Sequence, residues 1–68
     1  MGIHIGEKIR TVLREQGRSV RWFQNQINRS HTAVYVIFKS QDINTDLLKT
    51  ISIVLNHDFF KDLSDDVF

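Results

Sequence analysis

The chain has 68 residues, which allows one domain at most and leaves a large share of its surface in water. Hydrophobic residues at 41% and charged residues at 25% argue against intrinsic disorder, and with no Cys there is no disulfide framework, thiolate zinc site or cysteine nucleophile. Charge separates by half: residues 1–40 carry seven Lys or Arg against two Glu, a formal +5, while residues 41–68 carry two Lys against six Asp, a formal −4, so one side suits a polyanion and the other solvent or a partner.

Four or five short helices account for the chain, with no internal repeat or low-complexity stretch. The first spans Ile5 to Gln16, where Ile5, Ile9, Val12 and Leu13 make one apolar stripe. Lys8, Arg10 and Arg14 lie off it, and Gly17 stops the helix because Gly accepts the left-handed conformation cheaply. Ser19 is the N-cap of a second helix, Val20 to Ile27, with Val20, Phe23 and Ile27 on one face and Trp22 beside it along a neighbouring helix. Asn28 ends it, since Asn tolerates the left-handed region.

Ser30 is a second N-cap, before His31 to Lys39. The run Thr32 to Phe38 is β-branched and aromatic enough for a strand. A lone strand would leave its backbone unpaired, no other segment offers a partner, and Val34, Ile37 and Phe38 match helical spacing, so a helix is expected. The same run is an aggregation hazard whenever the domain opens. After a loop at 40–44, a fourth helix runs from Thr45 to Leu55 with Asn44 or Thr45 as cap; Leu47, Leu48, Ile51, Val54 and Leu55 form its buried stripe. Asp58 caps a short turn, Phe59 to Leu63, whose Phe59, Phe60 and Leu63 close the core, and residues 64–68 are expected to be a loose tail.

The functional pattern is the unit at 19–40: two capped helices sharing the tight Asn28-Arg29 link, the arrangement of a helix-turn-helix. Helix N-termini present free N–H groups to phosphate, and the outer side chains of the second helix can reach base edges. The stretch SVRWFQNQINRSHTAVYVIFKS, preceded by IGEKIRTVLREQG and followed by INTDLLKTISIVLNHDFF, resembles the phage-repressor/Cro (XRE-like) helix-turn-helix domain over about residues 3–63. The resemblance implies an all-α, lambda-repressor-like bundle of four to five short helices forming a single domain. It also implies sequence-specific binding of double-stranded DNA, a two-fold homodimer and transcriptional regulation. Base-reading positions fall on His31, Thr32, Tyr35 and Val36, and backbone-contacting ones near Ser19, Val20, Arg29, Ser30, Lys39 and Ser40. The chain departs from the family at Gln24, where a small residue is usual, at Asn28 for the turn Gly, and at Val20 and Val36 for polar residues; Val36 could meet only a thymine methyl.

Each of these residues also has a plainer role. Ser19 and Ser30 serve as caps, which is compatible with phosphate contact. Arg18, Arg21, Arg29 and Lys39 cluster around one helix pair, as phosphate binding requires, although each could be an ordinary solvated charge. His31 can meet a base or simply stand exposed, and Tyr35 can work at the surface or lie flat on the core. Trp22, Phe23, Ile37, Phe38, Phe59 and Phe60 read as core or dimer surface.

Catalysis is not expected. His4, His31 and His57 lack metal-ligand spacing, there is no phosphate-cradling Gly-rich loop, and a domain this small hardly builds a deep substrate cavity. No cofactor, metal or small-molecule substrate is therefore expected. The longest apolar run, Ala33 to Phe38, is too short for a bilayer, no secretion signal is visible, and Gly6 stands where myristoylation needs Ser or Thr. Together with the absence of Cys these features suit a reducing cytoplasm; association with the nucleoid is what the resemblance implies. The competing expectation is a protein-interaction module that kept the bundle but docks a partner on Val20, Tyr35 and Val36.

Overall fold

The computed structural model describes residues 4–67, which fold as α1 (Ile5–Glu15), α2 (Val20–Ile27), α3 (His31–Lys39), α4 (Thr45–Leu55) and α5 (Phe59–Val67). Among the described residues there is no strand, so the chain is an all-α bundle of five short helices. No helix is long and apolar enough to cross a membrane.

Local chemistry sets the helix ends. His4 Nδ1 accepts the amide N–H of Glu7 at 3.2 Å and caps α1. Ser19 Oγ accepts from Trp22 at 3.0 Å and Ser30 Oγ from Ala33 at 3.2 Å, each filling a donor that the helix cannot satisfy. Of the two candidates at the start of α4, Asn44 is the cap: its Oδ1 accepts the amide of Asp46 at 2.8 Å. Gly17, Asn28 and Asn56 sit at φ of 70°, 55° and 50°, the left-handed conformation that lets each chain reversal follow its helix directly.

Apolar periodicity sets the packing. Ile5, Ile9, Val12 and Leu13 of α1, Phe23 and Ile27 of α2, Val34, Ile37 and Phe38 of α3, Leu48, Ile51 and Leu55 of α4 and Phe59 of α5 form one buried cluster. α1 packs on α3 and α5, and α2 packs on α3 and α4. Three features refine the pattern expected from sequence. Leu47 and Val54 are only half-buried at the edge of the α4 stripe. Phe60 points outward at 39% exposure and leaves Phe59 and half-buried Leu63 to close the core. The last helix does not stop at Leu63 but continues to Val67, so most of the expected tail is helical; Phe68 lies outside the described residues.

Two long-range bonds lock the frame. The N–H of Gly6 donates to the carbonyl of Ser40 at 3.0 Å, joining the start of α1 to the end of α3. Gln16 Nε2 donates to the carbonyl of Leu55 at 2.6 Å, joining the ends of α1 and α4. The α4–α5 corner is held by His57, whose Nε2 lies 2.6 Å from Asp62 Oδ2 and whose ring lies 4.6 Å from that of Phe59.

Candidate nucleic-acid interface

The turn Asn28-Arg29-Ser30 joins α2 to α3, and α3 divides cleanly between two environments. Val34, Ile37 and Phe38 are buried, while His31, Thr32, Tyr35, Val36 and Lys39 are exposed. Thr32, Tyr35, Val36 and Lys39 repeat at three, four and seven residues, so they form a single outward stripe. Two of its members are apolar or aromatic: Val36 is 60% exposed and Tyr35 41%.

An aromatic chain anchors this stripe to the core. Phe23 stacks on Phe38 with centroids 6.1 Å apart, the Tyr35 ring meets Phe38 edge-on at 5.9 Å, and His31 meets Tyr35 edge-on at 4.8 Å. Tyr35 thus packs perpendicular to Phe38 and remains 41% exposed. His31 is held a second time, because its Nδ1 lies 3.1 Å from Oε1 of half-buried Gln24. An amide oxygen only accepts, so this contact is a hydrogen bond when the ring carries a proton on Nδ1. Gln24 is therefore a support for His31. Sequence spacing gave one faint signal for this contact: the two residues are seven apart across the turn.

The electrostatics of α2 and α3 differ from those of the other helices. α1, α4 and α5 each carry a carboxylate in the first turn, Glu7, Asp46 and Asp62, which offsets the positive helix end. α2 and α3 carry none, and α2 has Arg21 there instead. No Asp or Glu occurs between Glu15 and Asp42. Both N-termini thus keep their positive potential, reinforced by exposed Arg18, Arg21 and Arg29, and exposed Lys39 adds a further positive charge at the far end of α3. The guanidinium of Arg18 lies over Trp22, with Cζ 4.5 Å from the ring centroid.

Not all of the positions expected from the sequence to contact a DNA backbone remain available. Ser19 and Ser30 accept at Oγ in their caps and keep the hydroxyl proton for an outside acceptor. Ser40 spends its proton on the carbonyl of Val36 at 2.7 Å, and its own carbonyl takes the N–H of Gly6; its position serves the α1–α3 contact. Val20 is half-buried against the core and so is not part of an exposed apolar patch with Tyr35 and Val36. Comparison with known proteins finds no matching family model, no matching curated protein and no matching solved structure.

Proposed function

We propose that this chain binds double-stranded DNA in a sequence-specific manner as a helix-turn-helix transcriptional regulator, without catalysis or a cofactor. The observation that carries the reading is the two-sided character of α3, one flank in the core and the other a rigid exposed stripe beside carboxylate-free helix ends. An α-helix with its side chains is about 10–12 Å across, and the B-DNA major groove is about 12 Å wide. In this reading His31 and Thr32 meet base edges by hydrogen bonds, Tyr35 contacts a base or sugar, and Val36 packs on a thymine methyl. Arg18, Ser19, Arg21, Arg29, Ser30 and Lys39 grip phosphates. A second copy of the chain completes a two-fold arrangement.

The test is fluorescence anisotropy of the protein on a mixed-sequence duplex over a range of salt, followed by selection from a random duplex pool. Binding should weaken steeply and log-linearly with salt. Arg29→Ala and Lys39→Ala should each weaken binding to all sequences alike and lower the salt slope by about one. His31→Ala and Thr32→Ala should change the preferred sequence. Absence of salt-sensitive binding at micromolar protein overturns the reading. It would favour a protein-docking role for the exposed Tyr35 and Val36 surface, the feature that most favours that second reading.

A further inference from the structure

The junction of α1 with α2 holds a basic concavity that the contacts above use only at its edge. Arg10 and Arg14 stand one turn apart on α1 and Arg18 follows in the connection; with Ser19 and Val20 they line a hollow of about 300 Å³ that reaches Leu13. All three arginines are exposed. Like charges four residues apart weaken a helix. Here that repulsion has no internal relief, because among the described residues neither Glu7 nor Glu15 comes within ion-pair distance of an arginine.

Two of the guanidinium groups lie over aromatic rings. Arg10 Cζ lies 5.9 Å from the centroid of buried Phe38, and Arg18 Cζ lies 4.5 Å from that of Trp22, which packs against the core. A guanidinium attracted to a ring still has N–H groups to donate, and its planar fork suits tetrahedral oxyanions, which it grips in a bidentate manner.

We infer that Arg10, Arg14 and Arg18 form a phosphate-binding site that takes backbone phosphates of the DNA duplex and extends the protein footprint from α2 and α3 onto α1. The inference rests on the DNA-binding reading and adds two gripping residues, Arg10 and Arg14, to it. The site contributes affinity and orientation and no sequence choice, since phosphates are the same at every base pair.

The test compares the wild-type chain with Arg10→Gln/Arg14→Gln, with Arg14→Gln alone and with Lys61→Gln, which removes one charge from the acidic half. Anisotropy on a mixed-sequence duplex gives each salt slope, and circular dichroism confirms that each variant is helical. Each lost phosphate contact should lower the slope by about 0.9, so the double variant should lose about two and Arg14→Gln about one. Lys61→Gln should leave the slope in place, and the selected sequence should be the same for all. Arg14→Gln tests the site even if removing Arg10 from Phe38 disturbs the fold. An unchanged slope in Arg14→Gln, or an equal loss in Lys61→Gln, overturns the inference while wild-type binding leaves the DNA reading standing. Failure of the wild-type chain to bind duplex removes both. Saturable binding of inorganic phosphate at these arginines, with no change in the duplex slope of the variants, assigns the site to a free anion and overturns the duplex assignment.

Discussion

Gly6 has less room than any other described glycine in the chain. A Cβ built on it would run into the carbonyl oxygens of Ile37 and Phe38, which are backbone atoms of a packed helix and cannot swing aside. Its own N–H is bonded to Ser40, so α1 and α3 approach closely at this point by design of the sequence. Gly6→Ala must push the two helices apart. Overpacking of this kind costs about 1–3 kcal/mol, and the rigid obstacle places it toward the upper figure. Thermal unfolding followed by circular dichroism should show a fall of roughly 10 °C or more for a domain of this size. Gln24 is a residue of the opposite kind, dispensable for folding and required for orientation. Gln24→Ala removes the hydrogen-bond partner of His31 Nδ1. The variant should melt near the wild type and keep its salt slope, yet, if His31 meets a base as proposed, discriminate less sharply among sequences. A loss of affinity that is equal on all sequences would show that the pair serves something other than readout.

The helices themselves are specified by short-range chemistry. α2 and α3 have eight and nine residues, too short to persist without tertiary packing, and each relies on one serine to satisfy its first turn. Ser19→Ala and Ser30→Ala should each destabilise the protein by about 1 kcal/mol, measured by chemical denaturation, while the corresponding Gly variants should lose only a few tenths. Short-range specification is also why these elements were legible in the sequence. The bounds of α2, α3 and α4 follow from Ser19, Asn28, Ser30 and Asn56 together with the apolar stripes, and the choice of helix for Thr32 to Phe38 follows from Val34, Ile37 and Phe38 sharing one face. What was not legible depends on approach between distant segments. Nothing in the local pattern distinguishes Gly6 as a contact point, links Gln16 to Leu55 across the bundle, or turns Phe60 outward while Phe59 goes in. The end of α5 was missed for a different reason. Ser64, Asp65 and Asp66 are weak helix formers, and the single sign of continuation is the spacing of Phe59, Leu63 and Val67. In the candidate interface the outward stripe of α3 was visible from periodicity, whereas the support of His31 by Gln24 and the commitment of Ser40 to Val36 needed three-dimensional contacts.

At the scale of the whole molecule, charge separates into a basic first half and an acidic second half. A regulator that reads a two-fold site must present two copies of α3, and the contact between the copies should lie away from the basic surface. The α4–α5 corner meets that condition. Ile53 is 72% exposed and Phe60 39%, the two flank an open hollow of about 590 Å³, and Lys49 and Asp58 stand at its margin with opposite charge. A two-fold contact needs a self-complementary patch, and an apolar projection beside a hollow with one charge of each sign at the rim provides it. If the chain pairs as proposed, this corner is where the two copies are expected to meet. Sedimentation equilibrium should give a dimer for the wild-type chain at tens of micromolar, and Ile53→Asp should shift it to monomer without loss of helical content, because Ile53 makes no part of the buried core. The same variant should still bind a mixed duplex with most of its salt slope, since the phosphate contacts are untouched, but lose preference for a palindrome over a single half-site. A wild-type monomer at those concentrations that nonetheless binds a palindrome cooperatively would move the contact to a surface that forms only on DNA. A dimer unaffected by Ile53→Asp would place it elsewhere on the bundle.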